Sequence, residues 1–427
     1  MISTTLANTT SALSLAVTLG AYGFVSHRER NYLNVLTPSL LVNVPAFYLF
    51  QIVYNNLFGV DASAYSYIYV YATLAVESIV FAYVYTRPRT RPIRLPSVYG
   101  YSHLEWLALA CLGLSCLLFL PLLIEFKEYV FDPRRIYEET RTGFGASYYT
   151  SSACAYLAVI LILFSRQSNF RKAIAVLFAA IVLSLHGSKG QVLGIILLPL
   201  LFLVYVGHIR VKLGRALLVC LGFLVLLIGM FAATVSLGGP MEALEWVSEY
   251  SDYMRNAMMV IDSNMPVQYG RLTWESNVIS LVPRAVMPDK PKDFGAFYLD
   301  EEFYSGSLDE DKGVPAFGIG VQYADFGSLA IVYLGLFAAL RGWLTRVWVR
   351  RLQHTRHPAD FLMLAFLCGI SIFTIGTGWL FPETLLVALF LRFASSLGTG
   401  RTYREHIRYK PVLSAQGRLL SPGLEGV

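Results

Sequence analysis

Between residues 237 and 327 the chain carries Glu245, Glu249, Asp252 and Arg255 at spacings of four and three. That spacing lines them along one side of a helix, with Trp246, Tyr250 and Tyr253 beside them. A carboxylate next to a guanidinium on one rigid face suits proton transfer on an anionic substrate: Arg255 grips the anion, and Glu249 or Asp252 takes the proton. An amphipathic helix lying on a membrane would show the same pattern. Downstream, Arg284 stands between Pro283 and Pro288, whose fixed φ angles stiffen its backbone and suit a ligand-binding cation, although a structural turn is the plainer reading.

Other connections add candidates. In Asp132–Gly143 three arginines mix with Glu138 and Glu139; Arg141, beside the Gly143-Phe144-Gly145 bend, has the donor fork that fits phosphate, with internal salt bridges as the alternative. The turn His186-Gly187-Ser188-Lys189-Gly190 is too tight for a folded loop. Its glycines could turn amides toward an anion, and Lys189 would be a cation at membrane depth, for which snorkelling is the ordinary explanation. It lacks the full phosphate-loop pattern. Asp325, in Gly318–Gly327 at the start of an apolar run, is either a functional carboxylate or a helix cap. Glu77 reads as a partner for an arginine or polar group between helices. Asp309-Glu310-Asp311 reads as a solvated acidic run, and His354 with His357 lack the further ligands zinc would need. No metal or other cofactor is expected.

The elements that must position these residues are spans. With 427 residues, 56% hydrophobic and 15% charged, and a mean hydropathy of +0.54, the chain is far more apolar than a soluble protein. About eleven apolar runs can cross a bilayer, centred on 6–25, 36–58, 65–86, 104–124, 148–165, 172–186, 190–207, 215–236, 315–340, 359–378 and 380–397. Arginine and lysine crowd alternate connections, including Arg341, Arg346, Arg350, Arg351 and Arg356. Read as cytoplasmic, they place the N-terminus outside, the C-terminus inside and the candidate residues on the external face. The net charge of +6 is therefore a topology signal, and nucleic-acid binding is not expected.

The fold class is an all-α polytopic membrane protein with one long, partly helical external loop. Residues 1–236 form N-terminal spans, 237–314 an external cap, 315–397 the C-terminal spans and 398–427 a cytoplasmic tail. The cap holds too many aromatic residues for disorder, Trp274, Phe294, Phe297, Tyr298 and Phe303 among them. All five cysteines fall in apolar runs, so disulfides do not hold it. No basic segment precedes the first apolar run, which therefore reads as an anchor.

The Gly-Ser-Lys-Gly turn, the block Pro283-Arg284 to Pro288-Asp289-Lys290-Pro291 and the segment Gln322-Tyr323-Ala324-Asp325-Phe326-Gly327 together resemble the Wzy-type O-antigen and exopolysaccharide repeat-unit polymerases over roughly residues 135 to 395. The resemblance implies a GT-C-type glycosyltransferase of the bacterial inner membrane. Its active site would face the periplasm, and it would use polyprenyl-diphosphate-linked oligosaccharides as donor and acceptor, with a chain-length regulator as a further partner. On that reading the external cations Arg141, Lys189, Arg255, Arg284 and Lys290 would hold the diphosphate. Asp252, Glu249, Asp325 or His186 would be the base, and Tyr253, Trp274 and Tyr323 would contact the glycan. Direct displacement would invert the anomeric centre. Two departures stand out: Lys189 replaces the family's usual arginine, losing its bidentate fork, and Gln322 and Asp325 stand where glutamate and asparagine are common. An O-antigen ligase, transferring the glycan once to a lipid A core, would share the architecture. A lipid-linked oligosaccharide transporter would need more charge within the spans.

Overall fold

The computed structural model describes residues 2–87, 103–130, 135–136, 144–187, 189–232, 244–245, 248–249, 251–279, 282, 286–306, 316–370 and 382–396. Helix α1 (Thr4–Glu29) is followed by α2 (Thr37–Asn43), a π turn (Val44–Leu49) and α3 (Phe50–Phe58), which form one bent rod. Pro45 lies in that turn, where its missing N–H removes one helical bond and lets the backbone take the wider loop. Then come α4 (Ala64–Thr86), α5 (Leu104–Glu125), α6 (Gly145–Phe164), α7 (Asn169–Leu185), α8 (Lys189–Tyr205) and α9 (Leu213–Ala232). The polar stretch holds α10 (Asp252–Asp262), α11 (Arg271–Asn277) and α12 (Phe297–Phe303), and the chain continues through α13 (Gly320–Phe326), α14 (Ala330–Thr355), α15 (Pro358–Leu367) and α16 (Pro382–Ser396).

Among the described residues, five continuous stretches are long and apolar enough to cross a bilayer: Thr37–Phe58, Ala64–Thr86, Leu104–Glu125, Ser147–Phe164 and Gly320–Thr355. Gly190–Tyr205, Leu213–Leu226, Pro358–Leu367 and Thr384–Ala394 are shorter apolar helices. The molecule is thus an all-α polytopic membrane protein, as its hydropathy predicts.

Helix α6 is the central post. Of its most apolar window 83% is buried, against 22% for α5, which packs along it with its other face turned outward. A helix apolar on all sides needs protein or lipid around it; α6 is covered by protein, and the outer face of α5 is left for lipid. Helices α1, α4 and α14 form a second group. Here α1 compensates for its hydroxyl-rich face by bonding to tyrosines: Ser11 Oγ lies 2.7 Å from Tyr67 Oη, and Thr18 Oγ1 lies 3.0 Å from Tyr48 Oη. Such small residues also let membrane helices approach closely. Gly342 shows this against α4, where a Cβ would sit 2.8 Å from the Phe81 carbonyl oxygen.

One end of the bundle, the basic end, is closed by buried charge. Helix α14 continues to Thr355, so Arg341, Arg346, Arg350 and Arg351 lie on a helix and not in the connection their basic character suggests. The reason is local pairing. Arg351, 1% exposed, donates from Nε to Asp360 Oδ1 at 2.8 Å, and Arg392 and Thr355 close on the same carboxylate. Higher in α14, Arg341 bonds the Leu367 carbonyl and Ser39 Oγ, each at 3.0 Å, and is the charged neighbour of Glu77.

At the opposite end of α4, α10 packs against α4 and α13. We call this the cap end. Asp262 at its C-terminus accepts from Ser63 N (2.9 Å), Ser63 Oγ (2.6 Å) and Ser66 Oγ (2.8 Å), at the N-cap of α4. Against α13 the contact is backbone to backbone: a Cβ on Gly320 would stand 2.9 Å from Ala257 Cα.

Candidate active site

Helix α10 is amphipathic, burying Met254, Ala257, Met258 and Ile261 at helical spacing against Tyr67, Tyr69 and Tyr71 of α4. That packing sets the direction of the remaining residues. Arg255 reaches the end of α3, where its guanidinium carbon stands 3.8 Å above the Tyr54 ring, and its Nη2 donates to the Glu249 carbonyl at 2.9 Å. Its Nε is buried with no partner among the described residues. One turn earlier, Asp252 occupies the first turn of α10, where the helix dipole favours a carboxylate, and its Oδ1 accepts from Tyr253 N at 2.8 Å. Asn256, on the adjoining side, accepts at Oδ1 from Tyr304 Oη (2.8 Å) and donates to the Ala316 carbonyl (3.1 Å).

Tyr304 draws in a carboxylate that sequence reasoning missed. Its hydroxyl lies within electrostatic reach of Arg255, Asp252 and Asp300. Asp300 is 1% exposed, and its Oδ1 has no partner among the described residues. Burial pushes its carboxyl up to about 7. The Asp252 carboxyl is also raised, chiefly by burial, with the Tyr253 amide and Arg255 opposing, and the Tyr304 phenol is raised by burial. The sequence alone does not mark it: Asp300 differs from Glu301 and Glu302 in that its face is buried with Ala296, whereas theirs points to solvent.

The expected site residues are thus only partly brought together. Glu249, Asp252 and Arg255 meet at the start of α10, with Tyr253, 40% exposed, against Phe47. Asp325 is fully buried and accepts from Leu272 N (2.9 Å) and Thr273 N (2.6 Å), capping α11. Tyr323 packs edge-on against Tyr69, and Trp274 is exposed on α11. Lys290 folds onto its own loop, donating to the Val282 carbonyl at 3.1 Å with its ammonium over Phe294. His186 lies in the bundle: Phe119 stacks on it at 4.0 Å, Nδ1 lies 2.8 Å from the Val182 carbonyl and Nε2 lies 3.0 Å from Ser151 Oγ. Arg141, Arg284, the Lys189 side chain and Asp309-Glu310-Asp311 lie outside the described residues. Among the described residues no three His, Cys, Asp or Glu side chains group as metal ligands, and His357 accepts from Ala359 N as the N-cap of α15.

A helical bundle capped by a guanidinium, two carboxylates with raised pKa values and a phenol defines a polytopic membrane protein with an enzyme-like site at one end. Two curated relatives, the "O-antigen polymerase" of Salmonella typhimurium (strain LT2) and that of Salmonella typhi, are each 35% identical to it over 407 residues, covering 93% of this chain and 97% of theirs. The chain belongs to the O-antigen polymerase family and is a membrane glycosyltransferase. No family model matches the sequence, and no solved structure matches the fold.

Proposed function

We propose that this protein polymerises polyprenyl-diphosphate-linked oligosaccharide repeat units at the external face of the bacterial inner membrane. The carrying observation is the near end-to-end match to O-antigen polymerases, which takes in both the spans and the cap. The cluster on α10 is the part of the chain best suited to the reaction, and the cap end would then face the periplasm.

Arg255 binds the donor diphosphate through donors that its present contacts leave unused. As the acceptor hydroxyl attacks the anomeric carbon, the new C–O bond forms while the bond to the diphosphate oxygen breaks. The electron pair leaves on the diphosphate, where the guanidinium neutralises it. The hydroxyl proton passes to Asp252, with Asp300 behind Tyr304 as the alternative acceptor, since a base with a raised pKa is matched to neutral pH. Displacement from the opposite face inverts the centre, and arginine takes the charge-neutralising role a metal would otherwise fill. Asp325 and His186 suit the base role less well, because their polar atoms already bond to backbone amides or to helix neighbours. Arg141, Lys189 and Arg284 complete the diphosphate grip, and a chain-length regulator is a further partner.

The test is a reconstituted reaction with a defined polyprenyl-diphosphate oligosaccharide, resolved on a gel. A ladder is expected, whereas a single transferred product would mark a ligase. Arg255→Ala should cut chain growth by at least about tenfold, the effect of losing a charged hydrogen bond, with Arg255→Lys intermediate. Normal growth by Arg255→Ala at normal protein levels would remove Arg255 from the mechanism.

A further inference from the structure

Within the cap-end half of the bundle most buried polar groups are paired. Ser115 and Ser151 bond each other's carbonyls, His186 bonds Ser151, and Tyr148 Oη donates to the His186 carbonyl at 2.8 Å. On α6 and α8 two side chains break the pattern, as single atoms of Gln51, Arg255, Thr273, Asp300 and Thr384 do elsewhere among the described residues. Gln191 is 1% exposed with neither Oε1 nor Nε2 bonded, and fully buried Ser152 has an unpaired Oγ, among the described residues.

They belong to one neighbourhood. Ser152 and Tyr156 lie four residues apart on the same face of α6. Tyr156 Oη donates to the Gln191 carbonyl at 2.8 Å and fits only because residue 194 is glycine, whose Cβ would collide with that hydroxyl. One residue before Gln191, Gly190 is exposed, so the place lies close to the outside of the bundle. A buried carboxamide with both its donor and its acceptor unmet is unfavourable unless something else supplies the bonds.

We propose that Gln191 and Ser152 form a saccharide-hydroxyl subsite, apart from the charged cluster on α10. The chemistry is specific to a neutral ligand that donates and accepts side by side. A sugar hydroxyl gives its proton to Gln191 Oε1, a neighbouring sugar oxygen accepts from Nε2, and Ser152 can play either part. A phosphate would gain little from an uncharged pair. This rests on the reading of the protein as a polymerase of lipid-linked glycans and adds which residues hold the sugar.

The experiment uses the full chain in lipid with a defined polyprenyl-diphosphate oligosaccharide, comparing wild type, Gln191→Leu and Ser152→Ala. Because no protein hydrogen bond is lost, Gln191→Leu should keep or raise the thermal midpoint while raising KM by about tenfold with little change in kcat. The substrate should raise the midpoint of wild type and not that of Gln191→Leu. Ser152→Ala should raise KM less. An unchanged KM in Gln191→Leu with a normal wild-type ladder overturns the subsite alone. So does a midpoint that falls in Gln191→Leu without substrate, since Gln191 would then be holding the fold. A wild type that builds no ladder overturns the polymerase reading, and the subsite with it.

Discussion

Asp300 shows how much a single carboxylate depends on what covers it. A carboxyl usually titrates near ~3.9; this one is pushed up to about 7 because burial penalises its charged form. The folded protein therefore keeps a proton that the unfolded chain releases between those two values, so stability falls as pH rises through that window and levels off above it. Wild type should have a higher thermal midpoint at pH 5 than at pH 8, and Asp300→Asn should narrow the gap by raising the value at pH 8. An identical gap in both proteins would mean that Asp300 does not titrate there. The neighbourhood of Arg255 and Asp252 was legible from helical spacing, whereas Glu249 precedes α10 and meets Arg255 through its backbone carbonyl. Asp300 was not legible, because it sits next to Glu301 and Glu302, and only the burial of its own face sets it apart.

Among the elements, α11 and α10 are held by carboxylates used in opposite ways. Asp325 serves α11 by accepting two backbone amides of its first turn. Its replacement by alanine should cost about 1–2 kcal/mol, the usual range for a lost N-cap, while the protein that remains folded keeps its KM. A large kcat loss at unchanged stability would instead make Asp325 catalytic. Sequence left this residue open between cap and catalyst because a capping aspartate and a catalytic one look alike until the amides it faces are known. Asp262 serves α10 by tying it to α4. Asp262→Ala should loosen the cap, read as faster protease cleavage between residues 252 and 306 with the spans still protected; unchanged cleavage would show that apolar packing alone suffices. Although α14 runs on to Thr355, past the expected limit near 340, the presence of the spans was readable because runs of about 20 apolar residues leave no other structure in a bilayer. The cap was not, since its helices are short and their burial depends on partners distant in sequence.

At the scale of the whole molecule, the basic end carries a buried ionic cluster that charge counting hid. Arg351 looked like one more arginine in a cytoplasmic connection, yet it is almost fully enclosed with Asp360. Removing one partner from such a pair leaves an uncompensated buried charge, a loss of about 3–5 kcal/mol. Asp360→Ala should therefore lower the thermal midpoint in detergent and the amount of protein in the membrane. Asp360→Asn should fall between the two, and a fully stable Asp360→Ala would show that water reaches the arginines. The end-to-end match to O-antigen polymerases agrees with the reading made from the Gly-Ser-Lys-Gly turn and the Pro-Arg to Lys-Pro block.

The bond between Asp262 and Ser63 joins residues 199 positions apart. At a ribosomal pace of about 5–20 residues per second, the serine waits on the order of 10–40 seconds before its aspartate is made. During that interval the N-terminus of α4 stands without the carboxylate that later joins it to α10. The joint between α4 and α10 is accordingly a late one, closing only after α9 has been made.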